Sequence, residues 1–580
     1  MTPSPTPTPV YRDARPLSAS RYQGLRPGTR TLAAGSVVEK GAMPLPCDIR
    51  LDQDVAVRLR DGTTIYADVY RPVTEAPAAA VMAWCPYGKQ NGVSSLDDVP
   101  TRAGVPRNTL SGLHKWEGPD PAFWVARGYA VVHPDARGAF SSEGDLNFWG
   151  TQESEDAYDV IEWVAAQEWS NGRVGLAGNS WLAITQWHIA AERPPHLAAI
   201  APWEGSSDIY RHVLAIGGIP TVGFTDAVTD MLVGSGRVED PGATLQAHPL
   251  MSELWDSRRA AVDRIDVPTY VVASWTNPVH SPGTLLAWQQ LETADKWLRI
   301  HNTMEWPDFY AHQDELARFF GYYLRDEANG WERTPRVRVS VLDGTQADVV
   351  ERVEDDFPVS RARSVRLHLD AVTLSLAPEP VPTEARVDYD AVTGSVEFTV
   401  TFNEDVEVVG FPKLRLWVEA VGADDMDLFC DVEKVSSNGK TMLHMPIRPR
   451  NPLVRTLLRV MLKVVPDKVS LLFWRGAKGR IRASLRALDT ARSTPHQPVL
   501  LLSSEQPLAP GEIVPLEIPL FPVGMRWHPG ESLRLRVGGV SNIVNAEAGV
   551  TELPLRNTGR HVLHTGGTYD SHLLLPVLDV

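Results

Sequence analysis

Apolar and polar positions change rhythm twice along this chain. Residues 55–59 and 64–70 alternate, the period of half-buried strands, around the turn Asp61-Gly62. Short unbroken apolar runs then take over at 78–84, 129–133, 174–177, 197–201, 269–274 and 297–300. Runs of this length predict strands buried on both faces. Between them the spacing turns helical. Residues 123–128 form a helix end closed by Gly128. In 153–167, Ala157, Val160, Ile161, Val164 and Ala165 recur every three or four positions, and 182–191 and 316–324 behave alike. Strand and helix in alternation predict a mostly parallel sheet with helices on both faces.

The first change falls at 206–263, where strand signals give way to helical ones and loops around Gly217-Gly218 and Asp240-Pro241-Gly242. This predicts a helical cap inserted into an α/β domain made of 47–205 and 264–334. The second falls near Pro335. Beyond it come short alternating segments at 337–341, 365–369, 395–402, 413–418, 514–518 and 532–537, separated by turns. They predict an all-β sandwich or jelly roll over 335–580. Residues 1–46 have the pattern of a tail or extended arm. Residues 452–465 interrupt the β pattern with an amphipathic helix carrying Arg455, Arg459 and Lys463 as a basic stripe. Packing on the α/β domain, or a homodimer contact, is the expectation for it rather than a membrane surface.

The junction of the 174–177 strand and the 182–191 helix reads Gly178-Asn179-Ser180-Trp181-Leu182. A serine on a strand-to-helix turn, with glycine two places before it, has the form of a nucleophile elbow. The turn exposes the hydroxyl and aims the free N–H groups of the helix start at any anion formed there. The alternative is an ordinary turn with Ser180 as an N-cap. Leu182 stands where a second glycine is usual.

Composition narrows the choice. A chain of 580 residues with 43% hydrophobic and 22% charged positions has material for a large core in two or three domains. A net charge of −16 argues against a nucleic-acid partner and gives no attraction to anionic membranes. No apolar run reaches the length of a membrane span, and residues 1–9 lack the apolar core of a secretory signal. Cys47, Cys85 and Cys430 lie far apart, match no metal spacing, and suggest buried thiols in a reducing, cytoplasmic setting. No phosphate-cradling glycine loop is visible. Neither a cofactor nor a metal is expected.

At this point the chain resembles the cocaine esterase/NonD hydrolases and the related X-prolyl dipeptidyl peptidases, over roughly 48–576. The resemblance rests on Pro86-Tyr87, Arg127-Gly128-Tyr129, Asp135-Ala136-Arg137-Gly138 with Ser142-Glu143-Gly144, Gln167-Glu168-Trp169-Ser170-Asn171-Gly172 and Gly178-Asn179-Ser180-Trp181. Further on it rests on Leu414-Arg415-Leu416-Trp417, Asp427-Leu428, the run from Gly479 to Arg486, and Ser571-His572-Leu573-Leu574-Leu575-Pro576. It implies an α/β-hydrolase domain with an inserted helical cap and a C-terminal jelly roll. It also implies acyl transfer from a small ester or amide through an acyl-Ser180 intermediate. Tyr87 and the Trp181 N–H fall at the family's oxyanion-binding positions. Asp135, Arg137 and Glu143 are better explained as charges that staple loops.

The base and acid depart from that family. Asn277 stands where the family has its aspartate, and Glu305 where it has its histidine. A neutral amide cannot stabilise an imidazolium as a carboxylate does. Two arrangements remain. Ser180, His280 and Glu305 form a triad with base and acid on exchanged loops. Alternatively His301 is the base, with Glu305 or Asp308 as acid. His280 lies in the turn Asn277-Pro278-Val279-His280-Ser281-Pro282, where packing gives it no task. His301 ends an apolar strand, where a structural histidine is ordinary. Serine hydrolase is the leading function. The alternatives are an acyltransferase or cyclase on the same scaffold, and a binding protein with a degenerate triad. Trp203 and Trp255 are expected to shape an apolar acyl pocket.

Overall fold

The computed structural model describes residues 7–90, 92–447, 452–464, 473–541 and 555–579. Eleven strands form the first large sheet: β1 (Gly28–Leu32), β2 (Ile49–Arg58), β3 (Thr64–Pro72), β4 (Ala78–Met82), β5 (Ala130–Pro134), β6 (Ser170–Asn179), β7 (Leu197–Trp203), β8 (Thr269–Ser274), β9 (Lys296–His301), β10 (Val337–Val341) and β11 (Val349–Glu354). Their order is β11-β10-β9-β8-β7-β6-β4-β5-β3-β2-β1. From β5 across to β10 the pairs are parallel, and antiparallel strands close both edges. The unbroken apolar runs are the central strands: every residue of β4, β5 and β8 is buried. The alternating segments are β2 and β3, nearer the edge, with more polar positions facing out.

Helices α1 (Thr151–Ala165) and α2 (Trp181–Ala191) flank β6 in sequence. Then come α3 (Gly223–Met231), α4 (Pro241–Ala247), α5 (Ser281–Gln290), α6 (Glu305–Ala311) and α7 (Gln313–Arg325). α7 turns Leu316, Phe319, Phe320 and Leu324 into the core, as its periodicity predicts. All of α2 is buried, packed against β6, β7, α1 and residues 262–264.

Three expectations about organisation change. Residues 337–341, expected as the first strand of the C-terminal β module, instead extend the first sheet parallel to β9. A run of five apolar and polar residues carries no information about which sheet it joins. Residues 206–263, expected as a cap without strands, contain one at Arg237–Glu239, which pairs antiparallel with Tyr11–Asp13. The N-terminal arm is therefore fastened rather than loose. Arg12 pairs with Asp230 and Asp240, and the Arg15 guanidinium donates to the Asp230 carbonyl, so the arm grips the end of α3.

The chain beyond Arg363 forms a second, thirteen-stranded β network. It docks through Val523–Trp527: the Leu342 N–H donates to the Gly524 carbonyl and the Arg526 N–H to the Leu342 carbonyl, each at 2.9 Å. The Trp275 indole lies against Gly524, where any side chain would collide with the ring, and donates to the Ser340 carbonyl at 2.6 Å. The amphipathic segment is α8 (Pro452–Val464); Val465 lies outside the described residues. Leu458, Met461 and Leu462 face the core, while Leu453, Leu457, Val460 and Val464 are exposed.

Gly178 shows how the elbow tolerates Leu182. Its φ is +137°, and a Cβ there would lie 2.6 Å from the Leu182 side chain and 3.0 Å from the Glu117 carbonyl. The space a second glycine would have left is filled by leucine because Gly178 leaves it open. Gly178→Ala is expected to lower stability by about 2 kcal/mol through strain and overpacking, seen as a reduced urea midpoint.

Candidate active site

Ser180 has φ 54° and ψ −120°, a strained conformation for a residue with a side chain. Its neighbours hold it there. The Asn179 N–H donates to the Glu117 carbonyl at 3.1 Å, and the Ser180 N–H to the Trp203 carbonyl at 3.3 Å. The hydroxyl opens into a cavity of about 370 Å³. The α/β sheet supplies Ser180, Tyr87, Thr276 and His280. α3 supplies Phe224, Val228 and Met231, and the C-terminal module supplies Phe473, Trp474 and Lys478.

His280 sits just ahead of α5. Its Nε2 lies 3.0 Å from Ser180 Oγ. Its Nδ1 is buried without a hydrogen-bond partner. Burial alone pushes the imidazole pKa down to about 3, so the ring is neutral. A neutral ring whose Nε2 accepts from the serine can take the hydroxyl proton. The Phe224 ring packs edge-on against it at 6.2 Å between centroids.

Glu305 lines the same cavity but does not orient His280. Its Oε2 accepts from the Asn277 side-chain amide at 3.2 Å. This corrects the expected Ser180–His280–Glu305 triad: the pair Ser180–His280 is present, and Glu305 is bonded elsewhere. Burial holds the Glu305 carboxyl well above the usual carboxylate range, with nearby Glu204 adding to it. A protonated acid of this kind has no charge to give an imidazolium. Asn277 holds the loop instead, accepting from the Val279 and His280 N–H groups at 3.1 and 3.2 Å.

His301 and Asp308, the rival pair, belong to a separate buried cluster. His301 Nδ1 lies 3.0 Å from Thr303 Oγ1, and its Nε2 2.7 Å from Glu204 and 3.5 Å from Asp308. Asp308 is paired with Arg299, whose charge holds its carboxyl well below the usual range despite burial. Neither His301 nor Asp308 lines the Ser180 cavity. Asp135 pairs with Lys89, and Arg137 with Asp156 and Asp61, while Glu143 accepts from the Thr64 N–H. These are the loop-stapling contacts expected of them.

Tyr87 lines the cavity with its ring edge-on to Trp181 at 5.8 Å. Burial keeps its phenol protonated, as a donor. The Trp181 N–H lies in the first turn of α2, where no intrahelical acceptor exists. Its indole N–H, with that of Trp84, is held by Glu153 at 2.9 and 3.0 Å. The tryptophans lining the cavity are Trp116, Trp306 and Trp474, not Trp203 or Trp255. Those two point into other parts of the core, donating to Asp308 and to the His248 carbonyl.

Two acids escaped the sequence reading. Glu204 follows β7 with φ 59°, beside the nucleophile strand; an acid at the carboxyl end of a buried parallel strand is a signal that could have found it. Glu117 lies in an irregular loop at φ 62° and offered no such signal. It lines the cavity and accepts from the Trp306 indole N–H at 3.1 Å.

Known proteins share the chain's two-part organisation. Residues 61–304 match the X-Pro dipeptidyl-peptidase (S15 family) profile, and 329–574 match the X-Pro dipeptidyl-peptidase C-terminal non-catalytic domain. A crystal structure of a CocE/NonD family hydrolase from Staphylococcus aureus is 32% identical, covers 96% of this chain and 97% of its own, and superposes with a TM-score of 0.84. The chain belongs to the CocE/NonD hydrolases of the S15 family, with an N-terminal catalytic domain and a C-terminal all-β non-catalytic domain. Cocaine esterase from Rhodococcus sp. is 35% identical over 158 residues, 27% of this chain and 24% of that protein. A putative Xaa-Pro dipeptidyl-peptidase from Streptomyces avermitilis is 28% identical over 149 residues, 23% of this chain and 21% of that protein. The aligned stretches thus span about a quarter of these curated relatives. Among the described residues no helix is long and apolar enough to cross a membrane.

Burial pushes the Glu204 carboxyl up from 4.5 to about 8. A raised carboxyl adds stability below its unfolded pKa and loses it as pH rises through the folded value. Glu204→Gln removes that loss. Its stability relative to the parent is expected to improve between about pH 5 and pH 8, by on the order of a few kcal/mol, measured by urea unfolding at each pH.

Proposed function

We propose that this protein is a serine hydrolase that cleaves a small ester or amide through an acyl-Ser180 intermediate. The observation that carries the reading is the 3.0 Å contact between Ser180 Oγ and His280 Nε2 in the wall of a shared cavity. Ser180 Oγ attacks the substrate carbonyl and His280 takes its proton. Tyr87 and the Trp181 N–H receive the oxyanion. The walls beside Ser180 are apolar, from Phe224, Val228, Met231, Val279 and Met304, which suits a substrate with an apolar group next to the reacting carbonyl. In the same reading the two parts are an α/β-hydrolase domain with a helical cap and a C-terminal jelly roll.

Turnover of a short p-nitrophenyl ester tests the assignment. Ser180→Ala is expected to abolish it and to lose covalent labelling by a fluorophosphonate. His280→Ala is expected to lower kcat/KM by at least about 100-fold, the loss of a general base, while His301→Gln stays labelled at Ser180. Collapse in His301→Gln with a retained rate in His280→Ala would move the base to His301.

A further inference from the structure

A phenol that receives an oxyanion has to keep its place to within a fraction of an ångström, and Tyr87 lies on a loop rather than on a strand. Upstream, the Tyr87 N–H donates to Cys85 Sγ at 3.4 Å, which ties the residue back toward β4. Downstream comes Gly88, at φ +104°, a residue with no side chain to restrain the turn. The restraint begins one residue later. Lys89 turns its ammonium inward, with 4% of the side chain exposed, and places Nζ 3.0 Å from Asp54 Oδ1 and 2.5 Å from Asp135 Oδ2. Asp54 belongs to β2, and Asp135 directly follows β5. The Gln90 amide donates to Asp68 Oδ2 of β3 at 2.7 Å, and Asp68 Oδ1 accepts from the Asp54 N–H at 2.9 Å. The anchors are thus joined to one another as well as to the loop. The N-terminal arm covers the group: the Tyr22 ring centroid lies 5.5 Å from Lys89 Nζ and 5.2 Å from that of Phe140. A Cβ on Gly88 would lie 2.9 Å from the same Phe140 ring, so the loop is packed as well as tethered.

We propose that Lys89 is the positioning residue of the oxyanion site, its buried pairing with Asp54 and Asp135 fixing the Tyr87 hydroxyl relative to Ser180. This rests on the assignment of Tyr87 as an oxyanion donor above. Lys89, Gln90, Asp54, Asp68 and Asp135 do not line the Ser180 cavity, so an effect of this cluster on the reaction passes through the loop that carries Tyr87. Burial opposes the Lys89 charge, but Asp135, Asp68 and Asp54 outweigh it and hold the ammonium pKa above its ordinary value, so the tether persists. Charge gathers on the carbonyl oxygen only as Ser180 adds to the carbonyl carbon, and a donor that is already in line costs no reorganisation at that moment. Substrate binding belongs to the apolar walls. A loosened loop therefore leaves the bound ester in place and weakens what Tyr87 gives to the transition state.

A double-mutant cycle between Lys89 and Tyr87 tests the proposal, with kcat and KM measured on a short p-nitrophenyl ester. Tyr87→Phe is expected to lower kcat by about 100-fold, the loss of one oxyanion donor. Lys89→Gln is expected to lower kcat by at least about 10-fold with KM held within about twofold, as a displaced hydroxyl would. In the Tyr87→Phe background the same Lys89→Gln change is expected to cost less than about twofold, because the group it places is already gone. A cooperative urea transition certifies that each variant is folded. If Lys89→Gln shows none, Asp54→Asn, which weakens the pairing and leaves Lys89 its bond to Asp135, is carried through the same cycle and decides. Equal losses in both backgrounds, or a folded variant with unchanged kcat, overturn the role of Lys89. A Tyr87→Phe protein as active as the parent overturns the assignment of Tyr87 instead.

Discussion

Three backbone positions with positive φ meet at the nucleophile: Glu117, Ser180 and Glu204. None is glycine, and each is strained on its own. They are held by one another's surroundings. The residue before Ser180 donates to the Glu117 carbonyl, and Ser180 itself donates to the carbonyl just before Glu204. The sheet makes this arrangement possible. β7 lies parallel to β6, with Asn179 facing Trp203, so the strand ends arrive level and their turns can exchange hydrogen bonds. Remove that register and the serine loses the geometry that exposes it.

Burial then sets the chemistry. The same packing that steadies the turns excludes water from His280, Glu117, Glu204 and Glu305. Desolvation favours the uncharged form of each. These four groups are neutral at rest, unlike a triad that keeps a permanent carboxylate behind its histidine. In such a site, proton movements carry the cost of creating charge. Arg299 and Asp308 show the contrast: there a buried charge persists because its partner is permanent.

Much of the fold could be read from periodicity. Fully apolar runs became the central strands, and Gly178-Asn179-Ser180 became the elbow, because both depend on local pattern. His280 drew notice for the opposite reason: the sequence places it in a turn that gives it no evident packing task, and only the fold brings Phe224 against it. The contacts between distant segments were not legible. Whether residues 337–341 extend one sheet or begin another depends on register with β9, which no local pattern encodes. Glu305 was expected on His280 because both loops converge there, yet the amide of Asn277 reaches it instead. Glu117 was invisible because an acid in an irregular loop resembles any solvated surface residue until the fold encloses it.

The cavity walls come from three parts of the structure: the sheet loops, α3 and residues 473–478 of the C-terminal module. Along the chain the sheet loops come both before α3, at Tyr87 to Ser180, and after it, at Thr276 to Trp306, and residues 473–478 come last. Phe473, Trp474 and Lys478 complete a wall that the earlier stretches leave unfinished. Every reacting residue is therefore encoded ahead of the last stretch that shapes its surroundings, and the β module without catalytic residues of its own is part of the medium in which they react.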